Sequence, residues 1–303
     1  MTFKRLVFNL IHPISFFKKI RLKNIYKKAK TCPPDKYIKK VFKLRVGYSC
    51  NLSNPTSYNE KLQWLKLNYR NSLCNKLSDK LLVRSYVEEK IGKQYLIPLF
   101  GVWDSPKDID FSNLPNQFVL KCNHNSGLGM YICKNKKDID EERVKSNLEI
   151  GLSEDYWVKT KEWVYEGIKK KILCEAFLGD NNGLGINDYK FYCFDGEPKY
   201  FLVSSNRMKG VRFDYFDLNK KPLPFSQGGE RGNINIDDLD ISEMIDVSKK
   251  LSNGFPHVRV DLYFLEGKVY FGEMTFFDSS GFEPFKPRKW DYINGNYLNL
   301  PKK

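Results

Sequence analysis

The sequence is poor in histidine and shows no ordered pattern of cysteine. Its three histidines do not pair at ligand spacing, and its seven cysteines, Cys32, Cys50, Cys74, Cys122, Cys133, Cys174 and Cys193, nowhere fall as C-x-x-C. This excludes the usual zinc cages. The odd count, with several cysteines inside apolar runs, reads as reduced core thiols of a cytoplasmic protein. No Ser-His-Asp or Cys-His signature calls for a protein nucleophile, though His124 and His257 stand as acid/base or acceptor contacts or as structural groups. Internal repeats and low-complexity tracts are absent beyond the basic start. The N-terminal apolar run is too short to span a bilayer, is broken at His12-Pro13, and is followed by no small-residue cleavage site.

Acid is nearly missing from the first 45 residues, where 14 Lys and Arg face one Asp, Asp35. The other 258 residues hold 37 basic against 35 acidic side chains, so the net charge of +15 belongs to the start of the chain. That distribution argues against nucleic acid as the partner. Phe3, Leu6, Val7, Leu10, Phe16, Phe17 and Ile20 interleave with the cations, as in a segment lying peripherally on an anionic membrane. A basic helix packed on its own domain fits equally. With 303 residues and 41% hydrophobic content, the chain can bury a sizeable core in two domains or large subdomains.

Two carboxylates interrupt the stretch FPHVRVDLYFLEGKVYFGEMTFFDSSGF, residues 255–282. Val258, Val260, Leu262 and Phe264 alternate with Arg259, Asp261 and Tyr263, the period of a half-buried strand, and 269–277 is equally strand-like. A three-residue loop, Glu266-Gly267-Lys268, would set Asp261 opposite Glu273 and Arg259 opposite Thr275 on one face. A two-residue loop would set Asp261 opposite Gly272 and send the acids to opposite faces. Facing carboxylates repel, so they need solvent, a basic partner or a hard cation such as magnesium. On that reading, replacing either acid by its amide leaves the metal-free protein as stable or slightly more so.

Upstream, PTSYNEKLQWLKLNY opens a helix with the capping box Ser57/Glu60, and a second helix is expected over 79–91 ahead of Gly92. The segment SPKDIDFSNLPNQF reads as loop. From Phe118 onward the chain is strand-rich, with helices near 139–150 and 241–252. In FVLKCNHNSGLGMYICKN a strand bearing Lys121 runs into a polar glycine loop and out into another strand. Such a loop exposes N–H groups to phosphate oxygens, or it is a plain hairpin; it matches neither a Walker nor a Rossmann pattern. Further on, a strand ending Glu175-Ala176-Phe177-Leu178 is followed by a Gly/Asn linker and a strand starting Asp188-Tyr189-Lys190.

Taken together, the strand lysine with its glycine loop, the E-x-x-L stretch, D-Y-K, R-x-D, E-x-T and S-S-G resemble the ATP-grasp superfamily. Within it the chain looks like the TupA-like branch, associated with teichuronopeptide and surface-polysaccharide biosynthesis, over roughly residues 50–298. The resemblance implies an α+β fold with two subdomains clasping ATP, preceded by a helical region. It implies an ATP-dependent carboxylate–amine ligase using ATP and Mg2+. In it Lys121 meets the phosphates under a loop of Asn123, His124, Ser126, Gly127 and Gly129, Glu175 through Leu178 line the adenine, and Asp188 holds the ribose. Asp261, Glu273 and Thr275 match the magnesium ligands, Thr275 standing where many relatives have Asn; Arg259 and Lys190 match the catalytic cations. The divisions that follow are 1–45, a basic segment; 46–110, helical; 111–185, the small subdomain; and 186–303, the subdomain with the metal site. A nucleotide-sugar glycosyltransferase using Asp238-Leu239-Asp240, or a non-enzymatic membrane adaptor, are the alternatives. Asp108-Ile109-Asp110 and Asp138-Ile139-Asp140 match D-x-D as well, so that pattern says little.

Overall fold

The computed structural model describes residues 13–179, 185–207 and 209–302. The apolar positions Phe3, Leu6, Val7 and Leu10 and most of the Gly/Asn linker lie outside the described residues. Five helices come first: α1 (Pro13–Lys27), α2 (Pro34–Arg45), α3 (Tyr58–Asn68), α4 (Ser72–Ser78) and α5 (Val83–Ile91). The capping box at Ser57/Glu60 starts α3 as expected, and Gly92, at φ 104°, ends α5. Residues 79–82, expected to be helical, instead form a turn in which Asp79 Oδ1 accepts from the Leu81 and Leu82 amides. That turn is what presents Lys80.

Strands β1 (Leu99–Trp103), β2 (Phe118–Cys122), β3 (Tyr131–Cys133) and β4 (Ile172–Ala176) make an antiparallel sheet in the order β1-β4-β2-β3. Between β3 and β4 come α6 (Glu141–Ser153) and α7 (Tyr156–Thr160). Val144 and Leu148 of α6 pack on Phe118, Leu120, Ile172 and Cys174 to form the small core. The chain continues through β5 (Asp188–Phe194), β6 (Glu197–Ser205), β7 (Arg212–Asp217), β8 (Ser226–Gln227), α8 (Ser242–Ser252), β9 (His257–Leu265), β10 (Lys268–Thr275), β11 (Phe285–Lys286) and α9 (Lys289–Tyr297). Five of these strands pair antiparallel in the order β10-β9-β5-β6-β7. Their alternation puts Phe191, Phe201, Val258 and Val260 into one core with Met244, Val247 and Leu251 of α8. The opposite face is left to charged and tyrosyl side chains.

Helix α2, absent from the sequence reading, buries Tyr37, Ile38, Val41 and Phe42 completely, against Val158 and Phe282 among others. The segment before residue 45 is therefore partly structural. All seven cysteines are free and six are buried, in keeping with core thiols.

Candidate active site

The two carboxylates of the last hairpin do face each other, by a route that loop length alone does not provide. Glu266 (φ 52°) and Gly267 (φ 75°) form a two-residue turn between Leu265 and Lys268, both left-handed as a type I′ turn requires. The expected three-residue loop is thus corrected. A regular ladder from this turn would pair Asp261 with Gly272. A β-bulge there gives β10 one extra residue, so Glu273 pairs with Asp261 and Thr275 with Arg259. Glycine suits the bulge, since a Cβ at 272 would lie 2.9 Å from the Asp261 carbonyl oxygen.

Across β5 the same face continues, with Lys190 opposite Asp261, Asp188 opposite Tyr263 and Tyr192 opposite Arg259. The result is a row of alternating charge. Arg259 grips Asp261 in a two-pronged pair at 2.7 Å for both Nε and Nη2, and Nη2 reaches Glu273 and Thr275 at 3.2 Å each. Its Nη1 donates to Asp278. Lys190 bridges Asp261 and Asp188, and Arg207 pairs with Asp188 at 3.0 Å. Burial pushes the Asp261 carboxyl up against the pull of Arg259 and Lys190. Burial also acts to raise Glu273, but Lys80, Arg259 and Lys190 outweigh it and hold that carboxyl down at about 2. Both acids already lie against cations, Asp261 against Arg259 and Lys190 and Glu273 against Arg259. Set against the expectation that amide replacement is harmless, removing the Asp261 charge would leave Arg259 and Lys190 short of an anion in a buried site.

On the other sheet Lys121 pairs with Glu175 at 2.5 Å, and Arg84 of α5 reaches the same carboxylate at 3.2 Å. Lys121, Glu175, Ala176, Phe177 and Leu178 line one cleft together with Arg207 and Tyr263 of the five-stranded half. The cleft encloses about 200 Å3 and opens to solvent at its mouth. Its wall is chiefly apolar, which suits a flat aromatic base.

The glycine loop divides by function. The Asn123 side chain bridges Lys169 and Lys171, His124 Nε2 meets the Glu154 carbonyl at 3.1 Å, and Asn125 holds Leu128 and Gly151. Those side chains brace the loop, while Ser126 and Gly127 are exposed at its tip. Gly129 lies buried against Gly151, where a Cβ would come within 2.8 Å of the neighbouring backbone. Lys80 joins the two halves: its Nζ donates to the Asn125 carbonyl at 2.7 Å and lies 4.0 Å from Glu273. The sequence reading missed Lys80, Arg207 and Asp278. The neighbouring S-S-G drew attention, but nothing in the pattern gave Lys80 a partner.

His257 is structural. It is buried, with Nδ1 2.9 Å from the Cys193 carbonyl and Nε2 2.9 Å from the Tyr58 hydroxyl. Asp240, like Asp110 and Asp140, caps the amide two or three residues on, so the D-x-D pairs here are turn chemistry.

Two antiparallel sheets, a cleft between them, a glycine loop on one and a charge row on the other are the parts of an ATP-grasp protein. Residues 60–299 match the TupA-like ATP-grasp family, and the chain belongs to that family. No curated protein sequence matches it. Among solved structures it is similar to D-alanine–D-alanine ligase from Helicobacter pylori, with 17% identity over 81% of this chain and 70% of that one, at a TM-score of 0.44. The ATP complex of the Bacillus anthracis ligase is 14% identical over 66% of this chain, at a TM-score of 0.38. The match spans only 54% of that enzyme's length. D-cycloserine synthetase DcsG aligns at 11% identity over 75% of this chain and 72% of its own, at a TM-score of 0.41.

Proposed function

We propose that the protein is an ATP-dependent carboxylate–amine ligase that works through an acyl phosphate and joins a sugar acid to an amino acid or amino sugar in bacterial surface-polysaccharide biosynthesis. The observation that carries this reading is the charge row Asp188–Lys190–Asp261–Arg259–Glu273, whose Lys190 and Arg259 also line a second cavity. The base lies along Glu175–Leu178, the ribose at Asp188, and the phosphates between Lys121, Lys80 and the loop tip at Ser126 and Gly127. The polysaccharide setting rests on the TupA-like resemblance.

Asp261 and Glu273, with the Thr275 hydroxyl beside them, would hold Mg2+, a hard cation that suits carboxylate and hydroxyl oxygens. When bound, the ion offsets charge on the transferring oxygens. Arg259 and Lys190 supply fixed positive charge where a substrate carboxylate attacks the γ-phosphate. The basic face of α1 and α2 supports docking to anionic membrane. No described helix is long and apolar enough to cross a membrane.

The test is a phosphate-release screen of the full chain with ATP, Mg2+ and paired panels of sugar acids and amines, alongside thermal shifts with ATP and with sugar nucleotides. Release that needs both a carboxylate and an amine is the expected result. Stabilisation by a sugar nucleotide but not ATP would turn the reading to glycosyl transfer.

A further inference from the structure

A second cavity is lined in part by the charge row. Lys190, Arg259, Asp278, Tyr156, Thr160 and Ser280 are on its wall. Under the ligase reading an amine must come here to meet the acyl phosphate, and as its nitrogen bonds to carbon a proton has to leave. Few wall groups can take it. Arg259, Lys190 and Arg45 are cations, Asp278 is tied to Arg259 and Glu283 to Arg45 at 2.8 Å, and burial keeps Tyr156, Tyr192 and Tyr215 protonated.

Ser280 is different. It follows Ser279 in a left-handed pair (φ 48° and 56°), a conformation that costs free energy for non-glycine residues and persists only where the surroundings impose it. They impose it here through backbone and side chain. Lys66 Nζ donates to the Ser280 carbonyl at 2.7 Å and to the Thr160 carbonyl at 2.8 Å, and Gln63 Nε2 donates to the same Ser280 oxygen at 2.9 Å. The Ser280 hydroxyl is thereby turned onto the carboxylate of Glu162, to which it donates. Glu162 is only 2% exposed and Lys66 1%.

We infer that Ser280 and Glu162 form a proton relay for the amine half-reaction. The attacking nitrogen gives its proton to Ser280 Oγ as the C–N bond forms. The serine's own proton passes to Glu162, and phosphate leaves with the electron pair of the broken C–O bond. Ser280 is the catalytic residue and Glu162 the positioning residue behind it. The charged and titratable groups acting on Glu162 are Lys66, which favours its anion, and Asp278, which opposes it, while Tyr156 and Tyr165 stand close by. Burial raises the Glu162 carboxyl, making it a better proton acceptor than an exposed carboxylate.

The relay rests on the ligase reading, and hydroxylamine separates the two. This nucleophile is unprotonated at neutral pH, traps acyl phosphate as hydroxamate and needs little help from a base. The full chain, Ser280→Gly and Glu162→Gln are compared with ATP, Mg2+, the carboxylate found by screening, and either its amine or hydroxylamine. Glycine accepts the left-handed turn, so Ser280→Gly removes the hydroxyl without forcing the backbone. In both variants the ratio of amide to hydroxamate should fall at least tenfold at pH 7, and the gap should close as pH rises past the amine's own pKa. An unchanged ratio, or an equal loss of both products, would overturn the relay in favour of a purely structural Glu162–Ser280 contact. If the unaltered chain makes neither product nor ADP, the ligase reading falls and takes the relay with it.

Discussion

Lys121 and Asp261 are both charges held in pairs, yet their loss should read differently. In Lys121→Met, Glu175 keeps Arg84 as partner, so the fold should survive while ATP affinity drops by about 1.5–3 kcal/mol, measurable by calorimetry. Asp261→Asn leaves Arg259 and Lys190 short of an anion in a site only 2% exposed, and unfolding in denaturant should show a loss of about 3–5 kcal/mol. Equal or greater stability would mean that solvent, not Asp261, balances those cations. His257 gives a pH signature. Burial lowers it to about 4 from 6.5, so the unfolded chain binds a proton that the folded one refuses between those values. Stability is full above pH 6.5 and falls as pH drops toward 4, by about 3 kcal/mol in all at 1.36 kcal/mol per unit. His257→Gln should flatten that limb by one proton.

Among the elements, the last hairpin shows what a sequence reveals and what it withholds. Alternation marked both strands and their apolar face, because side chains on a strand have period two. Register was not readable, because it depends on a bulge set by how closely Gly272 approaches a backbone oxygen on β9. Gly272→Ala should therefore cost about 1–3 kcal/mol, as overpacking does, and weaken Mg-ATP binding as Glu273 is displaced; binding and stability both unchanged would deny the bulge its role. Capping boxes and glycine stops likewise made α3 and α8 legible. Helix α2 was hidden in the excess of lysine, although its apolar positions repeat at helical spacing. Lys80 was hidden because its partners, Asn125 and Glu273, are distant in sequence, and distance in sequence carries no geometry.

For the whole molecule, the N-terminal region carries both a basic surface and part of a buried core. Eleven Lys and Arg between residues 18 and 43 are exposed, beside a single acid, Asp35. Each is worth about 1 kcal/mol near an anionic surface at low salt. Neutralising Lys18, Lys19, Arg21 and Lys23 should thus abolish co-sedimentation with phosphatidylserine vesicles, leaving ATP binding intact; undiminished sedimentation would end the membrane reading. Deleting everything through Arg45 is a different experiment, because it strips Tyr37, Ile38, Val41 and Phe42 from their core and should unfold the region around Phe282. The distribution of thiols makes the first experiment easy to watch. Six cysteines are buried and Cys32, between α1 and α2, is half-exposed, so a maleimide dye added to the native chain should settle at one place. It would sit among the lysines assigned to lipid, a fluorescent reporter of docking that requires no engineered residue.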